Sequence, residues 1–267
     1  MWMTAVTGAV FAFLYLPVVV VVVYSFNGID SIFSLQGVSL RWYRQLFANE
    51  SMWDSITSSL VIAAITSVVA TAIGGLLAIA LVRASGLLRN IPAVLVGLIL
   101  VTPETVLAVS LLLLFTNRDV PLSMWTIILG HVTFSISFAT IVIRTRLLSL
   151  PGELEEAAMD LGATRAGAVR LIVIPHLSPA LLGSVVLVFL LSFDDFVTSV
   201  FVSGVGESTL PVRIYSSVRF GVTPEVNAIG TLMLGSSLFL VGVTYALVSW
   251  RGRGKGRAAQ MSQRTTS

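Results

Sequence analysis

The 267-residue sequence contains no cysteine, and only 11% of its residues are charged. The first absence excludes a disulfide framework and thiolate chemistry. The second excludes an ordinary soluble domain, which carries about a quarter charged residues and needs them to keep its surface solvated. There are two histidines and no His-Glu-x-x-His run; with no metal-ligand constellation or nucleophile triad visible in the sequence, catalysis on this chain is not expected. Gly252-Arg253-Gly254-Lys255-Gly256 lacks the spacing and the hydroxyl residue of a phosphate loop, so no nucleotide or other cofactor is expected on this chain. The net charge of +3 is too small to argue for nucleic acid. What the sequence does have is apolar residues, 56% of the total, which removes disorder from consideration.

Those residues fall into six nearly uncharged stretches at 4–26, 56–82, 91–115, 124–143, 179–203 and 227–250. At about 1.5 Å per residue each can cross about 30 Å of hydrocarbon as a helix. The short alternating segments of a membrane barrel are absent. The expected fold is therefore all-α and integral to the membrane, a six-helix bundle over 1–250 with a basic, disordered tail at 251–267. The first stretch lacks a basic n-region and a small-x-small cleavage site, and reads as a retained helix rather than a signal peptide. Six spans put both termini on one side. Eleven Lys and Arg residues lie on that side against five on the other, namely Arg41, Arg44, Arg118, Arg213 and Arg219. Basic residues stay cytoplasmic, so both termini are expected in the cytoplasm. The tail favours anionic lipid headgroups.

In the outward loop 27–55, Leu40, Tyr43 and Phe47 share one helical face, which predicts a short helix at the membrane surface. Trp42 and Tyr43 read from pattern alone as interfacial anchors. If they reach the outer mouth, they also offer an aromatic face to a cation.

The longest cytoplasmic loop, 144–178, is patterned. Leu154, Ala157, Ala158 and Leu161 recur at helical spacing, with Glu153, Glu155, Glu156 and Asp160 on the other faces. Gly162 supplies a stop and Thr164 a cap for a second helix that ends before Pro175. Periodicity leaves two readings open: a helical loop packed on its own bundle, or a docking surface for another protein.

Three carboxylates interrupt the apolar spans: Glu104 in the third, Asp194 and Asp195 in the fifth. Counted from the cytoplasmic end at helical rise, they lie about 20 and about 23–26 Å deep, at similar height. Pro103 directly before Glu104 predicts a bend that turns the carboxylate toward a cavity. Such residues face cavities or partners, and no Lys or Arg lies within any span. They serve either a cationic visitor or interhelical bonding, with Arg213 or Arg219 folding back. Neighbours in a helix point about 100° apart, so one of Asp194 and Asp195 faces the path and the other a helix. His131 in the fourth span reads as a satisfied, bundle-facing residue rather than a proton relay. His176 reads as packing, and Ser192 as bonded to its own backbone.

Glu156-Ala157-Ala158, Gly162 and Ile172-Val173-Ile174-Pro175 resemble the EAA motif of ABC importer permeases, with Ile174 in place of the motif's leucine. Ser192-Phe193-Asp194-Asp195-Phe196-Val197, Leu210 to Ser216, Gly221 to Ala228, Arg41-Trp42-Tyr43 and Thr102 to Val106 resemble the permeases of spermidine/putrescine importers, most of all their PotC-type subunit. The resemblance implies a type I importer subunit in a bacterial cytoplasmic (inner) membrane, without enzymatic activity of its own. It implies a second, distinct permease, two ATPase subunits that bind ATP and Mg, and an extracytoplasmic substrate-binding protein. It places Trp42, Glu104, Ser192, Asp194 and Asp195 in the substrate path. Glu156, Ala157, Ala158, Gly162 and Pro175 fall in the loop that couples to the ATPase. Arg165 departs from relatives that are acidic there. Two alternatives remain on the sequence: another cargo such as iron(III), thiamine, an opine or another organic cation, and a stand-alone proton-coupled carrier.

Overall fold

The protein is described by a computed structural model covering residues 2–31, 33–220 and 224–264, with side chains up to residue 246 apart from Phe220. In chain order the α-helices are α1 (Trp2–Tyr24), α2 (Arg41–Ala48), α3 (Glu50–Arg83), α4 (Leu87–Val101), α5 (Glu104–Asn117), α6 (Met124–Leu148), α7 (Glu153–Asp160) and α8 (Arg165–Ala168). A π-helical turn, Val169–Val173, then leads into α9 (Ile174–Phe193), followed by α10 (Val197–Val202), α11 (Leu210–Phe220) and α12 (Pro224–Arg264). No strand occurs among the described residues, only an isolated bridge between Asn27 and Val38.

Among the described residues, five helical stretches are long and apolar enough to cross a membrane: Trp2–Tyr24, Glu50–Arg83, Met124–Leu148, Arg165–Phe193 and Pro224–Ala246. The third expected span is broken. α4 and α5 meet at 110° across Thr102 and Pro103, and they make a sixth span only if counted together. The fifth is broken too, because its helix ends at Phe193 and a separate short helix, α10, follows. α12 continues as helix to Arg264, through most of the tail for which the composition predicts disorder. Gly221-Val222-Thr223 lies outside the described residues.

The chain divides into two compact units, one of Met1–Ser58 with Ser208–Phe239, the other of Ser59–Glu207 with Leu240–Ser267. In the first, α1 has no buried residue. A helix apolar on every side suits lipid or an apolar partner. After it, the fully buried Asn27 organises the loop: its amide nitrogen donates to the carbonyls of Ser31 and Ser34, and its side-chain oxygen accepts from the Gln36 N–H. α2 forms as expected, but its inward face is Trp42 and Leu46, while Leu40 and Phe47 stay exposed.

In the second unit α6 is the central element, with 12 of its 25 residues buried. Its buried positions include Gly130, Ser135, Ser137, Ala139 and Thr140. Small residues let helix backbones approach closely where no hydrophobic drive exists between lipid-immersed helices. One cluster joins Ile62 and Ala70 of α3 to Ile127, Ile128 and Val132 of α6, Val188 of α9 and Val202 of α10. A second joins Ala78, Ile143, Leu147, Val173 and Leu177 toward the other end of α6.

Candidate functional site

The two breaks in the second unit are where the intramembrane carboxylates sit. Pro103 has no N–H to donate back into α4 and precedes the first residue of α5, Glu104; proline at such a point ends one helix and begins the next. At the other break, Asp194 caps the C-terminus of α9 through its N–H to the Leu190 carbonyl. Asp195 starts the next turn, its Oδ1 accepting the Ser199 backbone N–H at 3.0 Å. Both Glu104 and Asp195 thus stand at helix N-termini, where the peptide dipoles favour negative charge. Backbone broken at membrane depth is tolerated where protein buries it or where it lines a cavity.

The breaks bring Glu104 and Asp195 to the same recess, near enough for their charges to interact. Asp195 is 7% exposed, whereas Asp194 is exposed and Glu104 half-buried. All three line a recess of about 390 Å³ whose other walls are Phe134, Leu187, Leu190, Leu191, Phe196 and Val197. Acid groups set among apolar and aromatic walls suit a cation carried on an alkyl chain.

Behind Asp195 lies His131, 1% exposed. Its Nε2 is 3.4 Å from Asp195 Oδ1 and 3.1 Å from Ser199 Oγ, and its Nδ1 is 2.7 Å from Ser192 Oγ. α10 reaches α6 here because residue 130 is glycine: a Cβ there would stand 2.7 Å from Thr198 Cγ2. Ser192 is therefore committed to His131, a correction to the reading that it bonds its own backbone. Sequence reasoning missed Phe134, Phe196 and Ser199. The fourth-residue spacing of Ser199 from Asp195 is the signal that could have found the cap.

Trp42 belongs to the other unit. It is 3% exposed, its indole N–H donates to the Asn27 carbonyl at 2.7 Å, and the Arg41 guanidinium carbon lies 4.5 Å from its ring centroid. The Tyr43 hydroxyl is bonded to Ser25 Oγ at 2.8 Å. Trp42 does not present an open aromatic face.

Loop 144–178 forms a second constellation. α7 ends in a Schellman arrangement: Gly162, at φ +90°, donates to the Met159 carbonyl, and Ala163 to that of Ala158, a turn in which glycine escapes the Cβ clash. Thr164 Oγ1 caps α8 by accepting the Gly167 N–H. The second helix does not stop before Pro175. The π turn widens the chain, the Ile174 N–H reaches back to the Val169 carbonyl, and Pro175 sits in the first turn of α9, where its missing N–H costs little. No residue of α7 is buried. Glu156, Ala157, Gly162 and Pro175 are exposed and Ala158 is half-buried. The Arg83 guanidinium pairs with the Glu155 carboxylate at a cleft of about 420 Å³ that also includes Glu156, Met159 and Arg165.

Comparison with known proteins supplies the remaining findings. Residues 62–251 match the family described as binding-protein-dependent transport system inner membrane component. The chain is 40% identical to the spermidine/putrescine transport system permease protein PotC of Haemophilus influenzae, over 87% of this chain and 90% of that one. It is 39% identical to the putrescine transport system permease protein PotI of Escherichia coli, over 93% and 89%. Among solved structures it resembles a bacterial ABC transporter that imports the polysaccharide alginate, with TM-score 0.71 at 15% identity over 93% of this chain and 94% of that one. It also resembles an amino acid ABC transporter, with TM-score 0.62 at 16% identity over 80% and 99%.

Proposed function

The chain belongs to the family of binding-protein-dependent transport system inner membrane components, and from that membership we propose that it forms part of the path for linear polyamines in an ATP-driven importer. The observation that carries the cargo reading is the recess at the two helix breaks. Three carboxylates and two phenylalanines line it, so an ammonium can meet acid oxygens while its methylene chain lies on apolar wall. The relatives named for spermidine and putrescine support the same cargo. Glu104, Asp194 and Asp195 are the cargo-facing groups of this proposal, and Ser192 acts behind them. Trp42 braces the loop that Asn27 organises.

Energy enters through separate ATPase subunits that bind ATP and Mg. The fully unburied α7, with small Ala157 and the left-handed Gly162 at its end, is the surface on which an ATPase docks, and Glu156 is its charged contact. Movement there crosses the Gly162 turn into α8 and passes from α8 into α9 without interruption, because α8, the π turn and α9 are one helical stretch. A second permease, distinct in sequence, completes the path, and a binding protein delivers cargo from outside. Both termini lie in the cytoplasm. The test is uptake of labelled putrescine and spermidine by the reconstituted complex, with and without ATP and binding protein. Uptake that needs both supports the proposal; uptake that ignores ATP overturns it.

A further inference from the structure

We propose that His131 is a positioning residue for cargo recognition: anchored by Ser192 and Ser199, it sets the place of the Asp195 carboxylate at the recess. This inference rests on the cation-path reading above. Three observations lead to it.

The first is placement. His131 is 1% exposed and is not among the residues that line the recess, so it can act on cargo only through Asp195. The second is the hydrogen-bond logic. A neutral imidazole carries one N–H. Were it on Nδ1, the Nε2 lone pair would face Asp195 Oδ1 at 3.4 Å, acceptor against acceptor. With the proton on Nε2, the ring donates to Ser199 Oγ at 3.1 Å with Asp195 Oδ1 3.4 Å away, and Nδ1 accepts the Ser192 O–H at 2.7 Å. Ser192 thereby selects the tautomer, as an outer partner does for a metal-bound histidine. The third is the link through Ser199. Its N–H donates to Asp195 Oδ1 at 3.0 Å while its hydroxyl is bonded to His131 Nε2, so the imidazole braces Asp195 through Ser199 as well as by standing 3.4 Å behind it, and the remaining lone pairs of Asp195 are left for an ammonium.

The experiment measures the concentration dependence of ATP-driven uptake of labelled putrescine and spermidine by the reconstituted complex, for wild type, His131→Gln, His131→Asn, Asp195→Asn and the His131→Asn/Asp195→Asn pair. The glutamine amide nitrogen takes the place of Nε2; the shorter asparagine cannot reach Asp195. His131→Gln is expected to stay within about threefold of wild type, while His131→Asn raises KM about tenfold, because a displaced Asp195 gives up a charge-assisted contact to the cargo, with kcat and basal ATPase activity kept. Against Asp195→Asn, the added His131→Asn change should have no further effect on KM. Equal impairment by Gln and Asn, or an undiminished effect of His131→Asn in the Asp195→Asn background, overturns the inference while leaving the cargo reading intact. Absence of polyamine uptake by the wild type overturns the cargo reading and this inference together.

Discussion

Asp194 and Asp195 are adjacent in sequence and opposite in circumstance. Asp195 is held by the Ser199 N–H and faces His131; Asp194 is exposed at the recess. Their substitutions should therefore differ. Asp194→Asn should raise KM for polyamine uptake about tenfold, the cost of one charge-assisted contact, without loss of assembled complex. Asp195→Ala removes a contact of the same kind and also the acceptor of the Ser199 N–H at the start of α10, so its complex should be less heat-stable by about 1 kcal/mol. Uptake at fixed ATP together with thermal unfolding in detergent separates the two, and identical behaviour in both assays would contradict the assignment. Gly130→Ala tests the close approach behind the site. Its Cβ would meet Thr198 Cγ2 at 2.7 Å, so overpacking should cost about 1–3 kcal/mol of stability.

Among the elements, the loop helices were the most legible in the sequence and the broken spans the least. Leu154, Ala157, Ala158 and Leu161, with Gly162 and Thr164 beyond them, use local chemistry that any helix end uses, and the structure shows the stop and the cap at those residues. The end of the second loop helix was misplaced because a π turn takes up Pro175, and periodicity carries no mark of such a turn. Pro103 announced a bend but not one of 110°. The break at Asp194-Asp195 has neither proline nor glycine to announce it. Tertiary partners on α5 and α6 hold it, and hydropathy averages over the six residues of α10, four of them apolar, as though they continued α9. Two predictions belong to this scale. Gly162→Val must adopt φ near +90°, a strain of about 1–2 kcal/mol, and should lower transport per ATP hydrolysed. Arg83→Glu alone should loosen α7 from α3 and lower coupling, and Arg83→Glu/Glu155→Arg should restore it. Coupling ratios that leave the reversed pair no better than the single variant would dismiss the ion pair as a solvated surface contact.

At the scale of the whole molecule, the scarcity of charge made most of the architecture readable. Eleven basic residues on one side against five on the other predict orientation, and the absence of cysteine makes the prediction easy to test. A single cysteine at Asp119 should react with a membrane-impermeant maleimide added to intact cells, and one at Ser149 should react only after lysis; the reverse pattern would invert the topology. The central claim is that the two broken spans place acid groups for a polyamine moved by ATP hydrolysed on partner subunits. Its most direct test is ATP-dependent uptake of labelled putrescine and spermidine into proteoliposomes by the wild-type complex and by a Glu104→Gln/Asp194→Asn complex. The account predicts nucleotide-dependent uptake by the wild type, lost in the double variant while the complex still assembles and hydrolyses ATP. Uptake at the wild-type rate in the double variant, or uptake without nucleotide, would contradict it.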